Sequence, residues 1–280
     1  MGTRICRLLA VAGLAAATLV GVGATPALAG SATQELPAQP RYVSLGDSYT
    51  AGPLIPVQRL EHVACLRSTN NYPSLLAKQL DASSFTDASC SGADTTDMTN
   101  SQDLLVGSNP PQFDSLTADT DLVTLGIGGN DFGVFGDIIS TCPKLRDSDP
   151  TGAPCEAYFN SSGTDELKAE IDQTQQRVAD VVGEIHQISP NARVLVIGYP
   201  RIAPPSGYCP DVLPFADGDY AYLDGIEQYL NSAVQQAAAA GGGEYVDTYT
   251  PSLGHDACAT GGAACCSALF RYCSMPSRYE

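Results

Sequence analysis

Three stretches of this chain carry residue types that together perform acyl transfer. The first is Leu45-Gly46-Asp47-Ser48-Tyr49-Thr50-Ala51-Gly52, directly after Arg41-Tyr42-Val43-Ser44, in which apolar and polar residues alternate as in a β-strand. A serine held on a tight glycine turn at the end of a strand is how α/β enzymes present a nucleophile. The setting differs from the Gly-x-Ser-x-Gly elbow, because Thr50 stands where that motif needs glycine. Asp47 is of the type that bonds nearby backbone amides and fixes such a turn. Gly-Asp-Ser alone is common and also reads as an ordinary polar turn. About forty residues on comes Ser89-Cys90-Ser91-Gly92-Ala93, and then the apolar run Asp121-Leu122-Val123-Thr124-Leu125-Gly126 leads into Ile127-Gly128-Gly129-Asn130-Asp131-Phe132. With Ser48 these supply an oxyanion hole: the Ser48 N–H, the Gly92 N–H where no Cβ blocks approach, and the Asn130 side-chain amide.

Gly-Asp-Ser, then Gly, then Gly-x-Asn-Asp, each ending an expected strand and in this order, resembles the SGNH (GDSL) hydrolase family, in particular its secreted, disulfide-bonded bacterial esterases, lipases and phospholipases A. The likeness runs from about Tyr42 to Ala259. It implies that Ser48 attacks an ester carbonyl, that Ser48, Gly92 and Asn130 bind the oxyanion, and that water then releases the acyl group without a metal or organic cofactor. The step needs a base within hydrogen-bond reach of Ser48, and histidine is the usual one. The chain's histidines are His62, His186 and His255. The family's base lies in a late His-Pro segment that this chain lacks. His255, in Gly254-His255-Asp256-Ala257-Cys258, resembles the stretch beside the family's third disulfide and is the candidate base; its other reading is packing beside Cys258. From Thr260 onward the chain loses its family character and crowds Cys265, Cys266 and Cys273 into nine residues. We read this tail as the product of a frameshift. A zinc site there with His255 is disfavoured by the absence of Cys-x-x-Cys spacing.

The elements that must position these residues follow from the rest of the chain. Arg4 and Arg7, the apolar run Leu8 to Val22 and Ala27-Leu28-Ala29 form a signal peptide with cleavage near Ala29. That leaves 251 residues, enough for one α/β domain. The expected division is 1–29 signal peptide, 30–40 flexible lead-in, 41–259 hydrolase domain and 260–280 atypical tail. Net charge is −17, and −19 without Arg4 and Arg7. So acidic a chain excludes nucleic acid as a partner and is repelled by anionic membranes.

Asn71 to Leu80 reads as a helix with Tyr72, Leu75, Leu76 and Leu80 on one face, and Phe85 to Ser89 as a second strand. Asp94 to Pro111 is polar and partly helical, Leu122 to Ile127 the third strand, Phe132 to Arg146 a helix and Asp147 to Gly163 a loop. Thr164 is the expected N-cap of a helix ending at Ser189-Pro190, with His186 at the margin of its apolar face. Arg193 to Gly198 is a buried strand, Tyr220 to Ala240 a helix stopped by Gly241-Gly242-Gly243, and Glu244 to Tyr249 a fifth strand. Strands alternating with helices predict a single-domain three-layer α/β/α sandwich around a central parallel sheet, flavodoxin-like as the resemblance implies.

After Cys6 leaves with the signal, nine cysteines remain. In an exported chain they read as a disulfide framework whose pairing the sequence leaves open. The resemblance implies Cys65 with Cys90, Cys142 with Cys155 and Cys209 with Cys258. The expected protein is a secreted monomer acting on a small-molecule or lipid ester, with no stable membrane insertion. The competing readings are an ester-, lipid- or glycan-binding protein of the same fold without a base, and a carbohydrate deacetylase. The absence of Trp removes the usual sugar platform from the last.

Overall fold

The computed structural model describes residues 35–260. The signal peptide, residues 30–34 of the lead-in, and the tail from 261 with Cys265, Cys266 and Cys273 lie outside the described residues. The central sheet has the order β2-β1-β5-β6-β7, all parallel: β1 Arg41–Gly46, β2 Ser84–Asp87, β5 Leu122–Gly126, β6 Arg193–Ile197 and β7 Glu244–Val246. Between β2 and β5 lies a small antiparallel hairpin, β3 Gln102–Asp103 with β4 Ser108–Asn109. The helices are α1 Ser48–Ala51, α2 Tyr72–Gln79, α3 Val134–Leu145, α4 Pro154–Phe159, α5 Glu166–Ile188 and α6 Asp219–Gly241.

The two faces of the sheet follow from the strand period of two. Val43 pairs with Val123 and that with Val194, while Leu45 pairs with Leu125 and that with Val196. These residues share one apolar cluster with Leu167, Ile171, Val178 and Val182 of α5 and Leu230, Val234 and Ala237 of α6. Tyr42 pairs with Leu122 on the opposite face and packs with Ala77 and Leu76 of α2. Helices on both faces of a parallel sheet give the expected three layers.

Several elements differ from expectation in their detail. Residues 147–163 are not all loop, because α4 forms within them. Its N-terminus starts with Pro154 and is capped from a distance: Cys155 N–H and Glu156 N–H donate to the Asp219 carboxylate at 3.1 and 3.0 Å. Such a cap has no local signature in sequence. The cap of α5 is Asp165, which accepts from Lys168 N–H at 3.2 Å, rather than Thr164. The polar stretch 94–111 contains the β3–β4 hairpin besides helical turns. In α2 the buried residues are Pro73, Ser74 and Ala77, while Leu75 is exposed. The run of β6 is buried on one face and half-buried on the other.

The three cysteine pairs are bridged, Cys65–Cys90, Cys142–Cys155 and Cys209–Cys258, with Cα separations of 4.3, 5.0 and 5.6 Å. Gly46, at the end of β1, has φ +148°, and a Cβ there would lie 2.4 Å from both the Gly126 carbonyl and Thr50 Oγ1. Backbone cannot yield as a flexible side chain does. Gly46→Ala is therefore expected to destabilise the fold by about 1–3 kcal/mol, as forced overpacking does, read as a fall in the urea midpoint at unchanged slope.

Candidate active site

Ser48 opens α1 immediately after β1 and is half-buried. Asp47 caps this short helix, its Oδ1 accepting from Tyr49 N–H at 2.8 Å. Asp47 N–H donates to the Gly126 carbonyl at 2.9 Å, so the turn hangs from the end of β5. The fully buried Gln112 brackets Gly46 from both sides: Gly46 N–H donates to Gln112 Oε1 at 2.7 Å, and Gln112 Nε2 donates to the Gly46 carbonyl at 2.9 Å.

Gly92 stands on an exposed turn in the left-handed region, φ +81°, that a side chain would strain. Cys90 N–H donates to the Gly46 carbonyl at 2.9 Å, and Ser91 N–H to the Cys65 carbonyl at 3.0 Å. The Cys65–Cys90 bridge therefore joins the segment after Ser48 to the turn carrying Gly92. Asn130 reaches the same turn, its Nδ2 donating to the Ala93 carbonyl at 2.9 Å. An amide nitrogen carries two hydrogens, so this bond orients the group and leaves one donor for another acceptor.

A third link closes the ring. Tyr199, fully buried after β6, donates its hydroxyl hydrogen to Asp47 Oδ2 at 2.6 Å and accepts from Gly129 N–H at 2.8 Å. Burial, then the adjacent Asp47 charge, pushes the Tyr199 hydroxyl well above its ordinary value, so it stays protonated and donates. Burial pushes the Asp47 carboxyl up to about 7, against the hydrogen bonds from Tyr199 and Tyr49. The Tyr199 ring is held edge-on by Tyr49 at 5.0 Å and Phe135 at 5.2 Å. A Cβ at Gly129 would lie 2.1 Å from the Phe135 ring, so that position needs glycine.

Beside Asn130, the buried Asp131 accepts from Thr95 N–H at 3.1 Å and from the Thr95 hydroxyl, and pairs with Arg177 at 3.2 Å. Arg177 also stacks 3.9 Å over the Phe132 ring. Burial raises the Asp131 carboxyl while these donors lower it.

The histidines fall in different places. His186 stands in the last turn of α5 with Nε2 3.2 Å from the Gly242 carbonyl. Both precede strands that run parallel to β1, so they lie at the amino edge of the sheet, opposite Ser48. His62 is exposed, with Nδ1 3.1 Å from the Ser108 carbonyl. His255 follows β7 and so lies at the carboxyl edge, the edge of Ser48. Its N–H donates to the Ser252 carbonyl at 2.9 Å, and the neighbouring Ala257 N–H donates to the Ile202 carbonyl at 2.9 Å. Beneath that loop Ile202 N–H donates to the buried Glu227 at 2.9 Å, and Arg201 pairs with Asp224 and stacks 3.9 Å over Tyr249.

The structure thus brings the Ser48, Gly92 and Asn130 turns together, and it adds Tyr199, Gln112, Thr95 and Arg177 to the site's support. Neither Tyr199 nor Gln112, the latter directly after the polar stretch 94–111, carries a local signal in the sequence. No group of three or more His, Cys, Asp or Glu side chains among the described residues is arranged to hold a metal.

A family model described as the GDSL-like lipase/acylhydrolase family matches residues 44–265. The chain is 39% identical over 249 residues to lipase 2 of Streptomyces coelicolor, across 88% of this chain and 82% of that one. It is 34% identical to an esterase of Streptomyces scabiei, across 86% and 80%. Among solved structures, phospholipase A1 from Streptomyces albidoflavus is similar at a TM-score of 0.66 and 32% identity, covering 79% of this chain and 84% of that one.

Tyr199→Phe leaves Asp47 Oδ2 and the Gly129 N–H without this buried partner. It is expected to cost about 1–3 kcal/mol in chemical denaturation, and to lower kcat while KM holds. The Asp47 carboxyl binds its proton more tightly folded than unfolded. Its contribution to stability is then full below pH about 4 and is lost as pH rises through about 7. Asp47→Asn, which cannot ionise, is expected to flatten the denaturation midpoint between those pH values.

Proposed function

The chain belongs to the GDSL-like lipase/acylhydrolase family, and on that premise we propose that it is a serine hydrolase of carboxylic esters, lipid acyl esters included, exported after cleavage near Ala29 and working as a monomer. Ser48 Oγ attacks the ester carbonyl. The Ser48 N–H, Gly92 N–H and free Asn130 donor receive the developing oxyanion, where one such donor is worth about 10²–10³ in turnover. His255 takes the Ser48 proton and returns it to the leaving alcohol; water then attacks the acyl-enzyme with the same histidine as base. The observation that carries the reading is the closed ring of hydrogen bonds holding the Ser48, Gly92 and Asn130 turns at the carboxyl edge of a parallel sheet, where α/β enzymes bind substrate.

The choice of His255 rests on its edge of the sheet, since His186 lies at the other and His62 is engaged with the β3–β4 hairpin. Export is supported by three disulfides, which persist in oxidising compartments. Among the described residues no helix is long and apolar enough to cross a membrane. A second reading, an ester- or lipid-binding protein of this fold without a base, rests on the absence of the family's late His-Pro segment from the sequence.

Hydrolysis of a short-chain p-nitrophenyl ester and labelling by a fluorophosphonate test the proposal. The wild-type chain is expected to do both, Ser48→Ala neither, and His255→Ala to lose about 10²–10⁴ in kcat, the range of general acid–base catalysis. Wild-type turnover no greater than that of Ser48→Ala overturns the enzyme in favour of the binder.

A further inference from the structure

We propose that the loop over residues 52–70 and the tip of the β3–β4 hairpin form one docking surface for a zwitterionic phospholipid interface. The proposal names the physical state of the substrate and so rests on the ester-hydrolase reading for its purpose. The docking itself requires no turnover.

Single exposed apolar side chains are ordinary on a protein surface, but clusters are not. Leu54, Val57, Leu60 and Val63 recur at every third position and all point to solvent, with Leu60 89% exposed. Leu105, fully exposed, and Val106 crown the hairpin. The two segments are joined: His62 Nδ1 lies 3.1 Å from the Ser108 carbonyl, and Arg67 donates to Asn109 Oδ1 at 3.0 Å. Both border the site. The loop begins at Gly52, the C-cap of α1 that Ser48 opens. The hairpin base touches the oxyanion turn through Gln102 Nε2, which donates to the Ser91 carbonyl at 3.0 Å.

The apolar side chains are held outward by a tied backbone. Leu54 has φ +65° and Leu66 φ +55°, a left-handed conformation that costs L-residues energy and persists only where surroundings impose it. Here the ties are the Cys65–Cys90 bridge and three backbone bonds: Ser68 N–H to Ala51 at 2.8 Å, Arg59 N–H to Arg67 at 2.7 Å and Thr69 N–H to Val57 at 2.9 Å. The loop therefore presents its leucines and valines without first having to order itself, which spares the entropy that flexible segments lose on binding.

Charge selects the partner. The chain carries −17, which opposes an anionic bilayer. Between Leu54 and Leu66 the only formal charges are Arg59 and Glu61, which cancel, and the hairpin carries only Asp103. On the loop's flank Lys78 and Asp81, which cancel, line a shallow groove of about 510 Å³ with Arg59, which lies 3.8 Å from the Asp87 carboxylate. An apolar crown with almost no charge of its own, on so acidic a chain, suits a surface of net-neutral phosphate headgroups rather than an anionic one.

Flotation of the full chain in a Ser48→Ala background tests this, so that binding is read without hydrolysis. The probes are phosphatidylcholine vesicles and vesicles rich in phosphatidylglycerol. Binding to phosphatidylcholine is expected, weaker binding to phosphatidylglycerol at low salt, and at least a tenfold loss of partitioning for the Leu60→Ser/Leu105→Ser double variant. The control Leu253→Ser, exposed elsewhere, retains partitioning, and the double variant keeps the wild-type melting temperature. In the Ser48 background the double variant keeps hydrolysis of a water-soluble ester. Absence of vesicle binding, full retention by the double variant, or equal loss in Leu253→Ser overturns the proposal. So does a concentration-dependent dimer in sedimentation that the same double variant abolishes, since a second copy would then be the occupant. Vesicle binding with these dependences but no ester turnover by the wild type leaves the docking standing and removes the hydrolase reading.

Discussion

The Tyr199 hydroxyl lies between Asp47 Oδ2 and the Gly129 N–H, donating to one and accepting from the other. These three residues follow β6, β1 and β5, so a single phenol ties together the carboxyl ends of three adjacent strands. Asp47 can cap α1 only while its second oxygen is satisfied, and the cap sets where Ser48 stands. Gly129 immediately precedes Asn130, so the same hydroxyl fixes the amide across the site. The group is fully buried among Tyr49, Phe135 and the sheet. In that low-dielectric setting a hydrogen bond is worth more than at the surface, and an unmade one costs more.

Around this link the scaffold is redundant in a graded way. Backbone bonds from Asp47 to Gly126 and from Cys90 to Gly46 repeat the connection between turns, and Gln112 reads both polar atoms of Gly46. Glycine at positions 46, 92 and 129 answers three different needs: a close approach to carbonyl and threonine, a left-handed turn, and room for the Phe135 ring. The disulfides secure the long segments that leave this centre. Cys65–Cys90 holds the loop that follows Ser48 against the turn carrying Gly92, and Cys209–Cys258 holds the loop that carries His255.

The His255 loop is anchored by different physics. Arg201, Asp224, Glu227 and Tyr249 form a largely buried polar group beneath it, and backbone bonds from Ala257 and Ile202 transmit its position. Glu227 is pushed well above the usual carboxylate range by burial, against donation from the Ile202 N–H. Such networks hold a loop in one place when satisfied.

The sequence by itself determined the sheet, the long helices and the three turns that carry Ser48, Gly92 and Asn130, because each is written in a local pattern: apolar runs at period two or 3.6 and glycines where the backbone must turn. Where the signal was non-local it was illegible. Helix α4 is capped by Asp219, more than sixty residues away in the chain. The Leu75 exposure in α2 and the half-buried face of β6 depend on what packs against them. Tyr199 is one tyrosine among thirteen, and only the register of β1, β5 and β6 brings it between Asp47 and Gly129. Which histidine shares an edge with Ser48 is likewise set by strand direction, a property of the assembled sheet that no stretch of chain contains alone.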